Sequence, residues 1–174
     1  ELVSQGLGSM MIAHLYVPAY EKKKNIASTL SKNIVTHLLR DSLGFDGLIF
    51  TDALNMRGVS KYFGPGEVDV RALLAGNDVL LFAENVPLAI EKIKKAIKKG
   101  LITQGEIDGR CLNILKAKKW MQLDDYKALN LDQLINNLNI RSALVLKRKL
   151  IESSLTLIKK EKAILPIDHL DKKR

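Results

Sequence analysis

The sequence is poor in several residue types and patterns, and each shortage removes a class of function. A lone cysteine, Cys111, excludes an internal disulfide. It falls with Ile107, Ile114 and Leu115 on the apolar stripe of EIDGRCLNILKAKKW, so core packing rather than nucleophilic chemistry is expected of it. Aromatic residues make up 5% of the chain, and none interleaves with the lysines as base-stacking platforms do, so nucleic acid is not an expected partner. No run approaches the ~18 apolar residues of a membrane span, and none is expected. Histidine and cysteine do not cluster at ligand spacing, so no metal site is expected. No Gly-x-Gly-x-x-Gly follows any strand-like segment, so no dinucleotide cofactor is expected, nor any other. The opening ELVSQGLGSMM lacks a basic stretch followed by an apolar block and begins at Glu1 rather than Met; the chain is therefore expected to be part of a longer polypeptide.

What is present suits a soluble, packed protein. The 174 residues are 47% hydrophobic, ample for one core. The net charge of +9 is distributed as a solvated surface. In AIEKIKKAIKKG, Ile90, Ile93, Ala96 and Ile97 hold one helical face, and Lys92, Lys94, Lys95, Lys98 and Lys99 take the other.

Two periodicities alternate along the chain. SMMIAHL (9–15) is short and apolar, and TLSKNIVTHLLRDSLG has helical spacing, with Ser28 or Thr29 as expected N-cap and Gly44 as stop. GLIFT is a second strand. After the Gly64-Pro65-Gly66 turn comes the helix EVDVRALLAG, stopped by Gly76, then a third strand, DVLLF (78–82), and a lysine-faced helix opened by Pro87. All three strands are apolar on both faces, as in a parallel sheet covered by helices. They end near His14, Asp52 and Glu84, 38 and 32 residues apart, the pitch of consecutive strand–helix units. A doubly wound α/β sheet and a (β/α)₈ barrel both contain such a run.

In either architecture chemistry sits beyond the C-terminal ends of the strands. Asp52 ends its strand and so belongs to that mouth; a catalytic carboxylate and an N-cap for ALNMRG are both compatible with its position. Asp78 begins its strand and belongs to the opposite rim, where a buried or capping role is expected. His37 faces the polar side of its helix and His169 lies in the charged tail, so both are read as solvated.

LLRDSLGFDGLIFTDALNMRGV resembles the nucleophile segment of glycoside hydrolase family 3: a Leu-Gly-Phe-x-Gly run, a strand, Ser/Thr-Asp, and a Met four residues on. GLGSMMIAHLYVPAYE is similar to that family's preceding strand, LLAGNDVLLF to its last barrel strand, and LIESSLTLIKKEKAILPI to the opening of its second domain. The resemblance implies an α/β fold with about three βα units from the C-terminal part of a TIM barrel in residues 1–123, a helical connector in 124–152, and the start of an α/β sandwich in 153–174, with a strand at 154–158.

The resemblance further implies a retaining hydrolase that removes β-linked terminal sugars, a β-N-acetylhexosaminidase first and a β-glucosidase second. Asp52 matches the nucleophile. It needs hydrogen-bonding or cationic neighbours to stay ionised beneath the anomeric carbon, and a second group ~5 Å away to protonate the leaving oxygen. His14 and Met56 match positions that line the sugar subsite. The acid/base, and a sugar-binding Lys-His pair from an earlier strand, match nothing in residues 1–174, so the chain alone is expected to be inactive. The expected partners are a β-N-acetylglucosaminide or β-glucoside and the remainder of its own polypeptide, in a bacterial periplasm or cytoplasm.

Two other classes compete. A phosphate-binding enzyme could use the Gly64-Pro65-Gly66 turn and the helix after it, but Glu67 and Asp69 in the first turn repel an anion. A non-catalytic scaffold is favoured if Asp52 is buried and neutral. Glu84 is the other carboxylate at the mouth by position, and the resemblance gives it no role.

Overall fold

The computed structural model describes residues 1–128 and 130–156. The chain divides into two compact units, Glu1–Tyr126 and Lys127–Arg174. In the first, strand β1 (Ser9–Ile12) pairs in parallel with β2 (Leu48–Thr51), in the register Ser9 to Leu48 through Ile12 to Thr51. The third segment joins β2 through a single parallel bridge, Phe50 to Val79, rather than as the strand expected over 78–82. Two features end its ladder. Thr51 Oγ1, not a backbone carbonyl, accepts from Leu81 N at 2.8 Å, and Phe82 turns the chain at φ +51°.

The sheet is covered unequally. Ile12 and Ile49 are buried with Val35, Leu39, Phe45 and Ala75, whereas Met11 on the other face of β1 is 57% exposed and Leu48 and Phe50 are half-buried. Both faces are apolar in sequence, as read above, but only the Ile12 and Ile49 face is covered.

The crossover from β1 to β2 runs through a helix, Asn33–Ser42, of wide i→i+5 turns, whose end is marked by Leu43 N donating to Leu38 O. It does not start on a Ser28 or Thr29 cap. Those residues form a separate 3₁₀ turn, Ser28–Leu30, and their hydroxyls turn back to the carbonyls that end β1. Helix α1 (Arg57–Ser60) and helix α2 (Glu67–Ala75) carry the chain from β2 to the third segment. Gly76, at φ +111°, ends α2 as expected; a Cβ there would sit 2.6 Å from Thr36 Oγ1, so the position requires glycine.

Helix α3 (Val86–Lys98) is capped by Asn85 Oδ1, which accepts from Leu88 N at 3.1 Å, with Pro87 in its first turn. It buries Ala89 and Ala96. Ile90 is 48% exposed, and Lys92 is half-buried, donating from Nζ to Pro65 O at 2.9 Å, so the two faces are less cleanly divided than the sequence suggests. Helix α4 (Gln104–Trp120) opens on a reciprocal cap between Thr103 and Glu106. Its less exposed edge runs through Ile107, Arg110, Ile114 and Ala117, which leaves Cys111 exposed, contrary to the core role expected of it. Arg110 takes that inner edge because its guanidinium donates to Leu73 O and Asn77 O at 2.9 and 3.0 Å.

The second unit contains α5 (Leu134–Leu138) and α6 (Arg141–Ser154). Ser153 and Ser154 close α6; the remainder of the strand and sandwich opening expected from there, and His169, lie outside the described residues beyond Thr156. No helix among the described residues is long and apolar enough to cross a membrane.

Candidate active site

Asp52 is the first residue past β2. Its backbone N–H donates to Ile12 O at 3.1 Å, which ties it to the end of β1, and its carboxylate Oδ1 accepts from Ala53 N at 2.8 Å. The side chain is half-buried, and among the described residues it forms no ion pair. It does not cap α1. Met56 occupies that N-cap position, without a side-chain cap bond.

The chain after Asp52 is pinned from below. Leu54 is fully buried and its N–H donates to Leu81 O at 2.9 Å, so the turn is fastened to the third segment as Asp52 is fastened to β1. Leu54 packs with Val59, Val68, Ala72, Ala27 and Leu30 in a cluster under the loops.

His14 lies two residues past β1, half-buried. Its Nδ1 lies 2.9 Å from Thr29 Oγ1 and its Nε2 lies 2.9 Å from Ala53 O. A carbonyl only accepts, so Nε2 carries the proton. Both ring nitrogens are thus engaged by protein. Ala53 O also accepts from Met56 N at 3.0 Å, so one carbonyl joins the three residues singled out in the sequence: Asp52 precedes it, His14 reaches it across the sheet, and Met56 closes the turn on it. The Met56 side chain is 46% exposed. Glu84 is exposed.

Sequence reasoning missed the residues that hold this arrangement. Thr29, fully buried, lies within 2.8 Å of Ile12 O and of Ala13 O as well as facing His14. Ser28 Oγ donates to Ala13 O at 2.5 Å and accepts from Leu15 N. Both looked like cap residues, and no local pattern reveals a cross-sheet role. Glu21 is buried and accepts from Ser31 Oγ at 2.7 Å and from Lys23 N at 3.0 Å; the Ser31 hydroxyl, then the Lys23 amide, hold its carboxyl below the ordinary value.

A cavity of about 430 Å³ opens beside His14, between the segment after β1 and residues 57–62. Its walls include Tyr16, Lys24, Arg57, Gly58 and Tyr62, and neither Asp52 nor Met56. At the opposite rim Asp78 is buried as expected. Its Oδ2 accepts from Ile49 N at 2.8 Å and pairs with Arg40, which also donates to Phe45 O and Gly47 O. Among the described residues no group of three or more His, Cys, Asp or Glu side chains is arranged to hold a metal ion.

Comparison with known proteins converges on one family. Residues 1–117 match the model of the glycosyl hydrolase family 3 N terminal domain. The chain is 27% identical over 173 residues to a beta-N-acetylglucosaminidase/beta-glucosidase of Cellulomonas fimi, covering 95% of this chain and 31% of that protein. A beta-hexosaminidase of Mycobacterium tuberculosis is 31% identical over 125 residues, 67% of this chain and 31% of its own length. The solved structure of a glycoside hydrolase family 3 beta-N-acetylglucosaminidase from Paenibacillus superposes with a TM-score of 0.68 at 35% identity, over 74% of this chain and 25% of that one. The chain therefore spans a quarter to about a third of the length of these relatives.

Proposed function

The chain belongs to glycosyl hydrolase family 3, and from that premise we propose that it carries the nucleophile of a retaining β-glycosidase, with Asp52 as the attacking carboxylate. The observation that carries the reading is the setting of Asp52: a half-buried carboxylate at the C-terminal end of a parallel strand, steered by the Ala53 N–H and fastened through its backbone to β1. It is neither fully buried nor used as a cap, which disfavours a scaffold reading.

The reaction assigned to it has two steps. The Asp52 carboxylate attacks the anomeric carbon as the glycosidic C–O bond breaks, and the leaving oxygen takes a proton from an acid in another part of the polypeptide. Water, activated by the same group as base, then cleaves the glycosyl ester. Ala53 N–H holds the attacking carboxylate in place, and His14 and Met56 hold the carbonyl of the same residue. Met56 meets the sugar by shape through its exposed side chain. His14 meets it through ring carbons, since both nitrogens are occupied.

The preferred substrate is a β-N-acetylglucosaminide, with a β-glucoside second, following the activities named for the relatives. The architecture is the C-terminal part of a (β/α)₈ barrel over residues 1–123, a connector over 124–152 and the start of a second domain over 153–174. The one-sided covering of the sheet supports the barrel: a doubly wound sheet has helices on both faces, whereas the Met11 face here is open for the strands of a barrel interior. The test is to treat the full-length polypeptide with the 5-fluoro glycosyl fluorides of N-acetylglucosamine and of glucose and map the peptides. Sugar attached to Asp52 is the expected result, and label on any other residue overturns the assignment.

A further inference from the structure

The cavity beside His14 has a chemistry of its own. Two cations, Lys24 and Arg57, stand in its walls, and no carboxylate lines it. Among the described residues neither cation has an ion-pair partner, unlike Arg40, Arg71, Lys95, Lys119 and Arg148. Tyr16 and Tyr62 add flat aromatic surface, the usual wall for a sugar or aryl ring. The volume suits a small ligand.

The site is held in shape. Its loop is anchored by Glu21 on Ser31 and Lys23 and by Ser28 on β1, and Asn25 in its wall keeps a left-handed backbone at φ +65°. Gly58 lets the other wall close on His14: a Cβ there would lie 3.2 Å from the His14 Cβ. His14 both lines the cavity and bonds to Ala53, so the cavity adjoins the turn that carries Asp52.

We propose that this cavity is a leaving-group subsite for a carboxylate-bearing aglycone, with Lys24 and Arg57 receiving the carboxylate and Tyr16 and Tyr62 flanking the group that carries it. The inference rests on the glycosidase reading above.

The test compares 4-carboxyphenyl and 4-carbamoylphenyl β-N-acetylglucosaminides on the full-length polypeptide, reading the ratio of their kcat/KM values. Replacing both cations (Lys24→Gln with Arg57→Gln) lowers the anionic-to-neutral ratio about fivefold, the scale of two exposed, screened charge contacts. Lys22→Gln with Lys23→Gln removes the same charge from the same loop outside the cavity and leaves the ratio where it was. Raising the salt concentration lowers the ratio in the unmodified protein and not in the cavity variant. Turnover of both substrates with a ratio that the cavity variant does not move overturns the subsite and leaves the glycosidase reading standing. Turnover neither of these two nor of the matching pair of aryl β-glucosides by the unmodified protein overturns the glycosidase reading and this inference with it.

Discussion

His14 donates from Nε2 to the carbonyl of Ala53 at 2.9 Å, across 39 residues of sequence, and so ties the end of one strand to the residue that follows the candidate nucleophile. The same carbonyl receives Met56 N, and the N–H of the same residue, on its preceding peptide, points at the Asp52 carboxylate. Whatever moves His14 therefore moves the group that steers Asp52. His14→Ala leaves Ala53 O short of one donor and Thr29 without its ring partner, a stability loss of about 1–3 kcal/mol. In the full-length enzyme kcat falls about tenfold with KM changed less, because the interaction aims the attacking group rather than binding the sugar. Thermal unfolding alongside steady-state kinetics separates the two effects. Full activity per folded molecule would reduce His14 to a structural residue.

Asp52 and Asp78 sit at opposite ends of neighbouring segments and predict opposite phenotypes. Asp52→Asn keeps the fold, since an amide oxygen still accepts from Ala53 N, but removes the nucleophile; kcat drops by several orders of magnitude, about 10³-fold or more. Asp78→Ala strands Arg40 and Ile49 N in a buried setting and costs about 3–5 kcal/mol of stability. The Asp78 variant retains its KM in whatever fraction stays folded. Chemical denaturation of both variants checks the first half of this contrast and active-site titration the second; near-normal turnover by Asp52→Asn removes Asp52 from the mechanism.

The loop that frames the site is sensitive to acid through Glu21. Hydrogen bonds from Ser31 and the Lys23 amide hold its carboxyl below the ordinary value of 4.5, so the folded state favours the ionised form. Its stabilising contribution is complete above the unfolded value and is lost as pH falls through the lower folded one. Glu21→Gln is therefore less stable than the parent at pH 7, by about 1 kcal/mol for charge-assisted bonds made neutral, and the gap narrows below pH 4.5. Melting temperatures of the two proteins between pH 3 and 7 measure it, and parallel curves would show that Glu21 is not coupled to folding.

These relationships differ in how far they can be read from the chain. Local signals were legible: Gly76 as a helix stop, Pro87 in a first turn, the parallel pairing of two apolar runs, and Asp52 against Asp78 at the two ends of their segments. Contacts decided across the sheet were not. Ser28 and Thr29 have the composition of a cap, yet their hydroxyls serve β1. Thr51 looks like one more strand residue, yet its hydroxyl takes the Leu81 N–H and shortens the third strand to a bridge. Cys111 went to the exposed side of α4 because Arg110, a charged residue in the sequence, uses two carbonyls to occupy the inner edge. The cations of the cavity lie 33 residues apart, with no spacing to link them before the loops fold together.

Residues 1–174 expressed by themselves present an open sheet edge. The described sheet has β1 at its edge, paired with β2 alone, and β1 carries the exposed Met11 beside its unpaired backbone. An open parallel edge with an apolar face is a template for association, and nothing polar on Met10, Met11 or Ile12 discourages it. A (β/α)₈ barrel needs eight strands to close, and a retaining mechanism needs an acid near the nucleophile. The isolated segment is therefore expected to self-associate and to leave aryl β-N-acetylglucosaminide and aryl β-glucoside intact, although Asp52 is present. Sedimentation velocity with assays on both substrates tests this directly. A stable monomer that turns over either one would mean that a complete site lies within these residues, and the division of labour proposed for the longer polypeptide would be wrong.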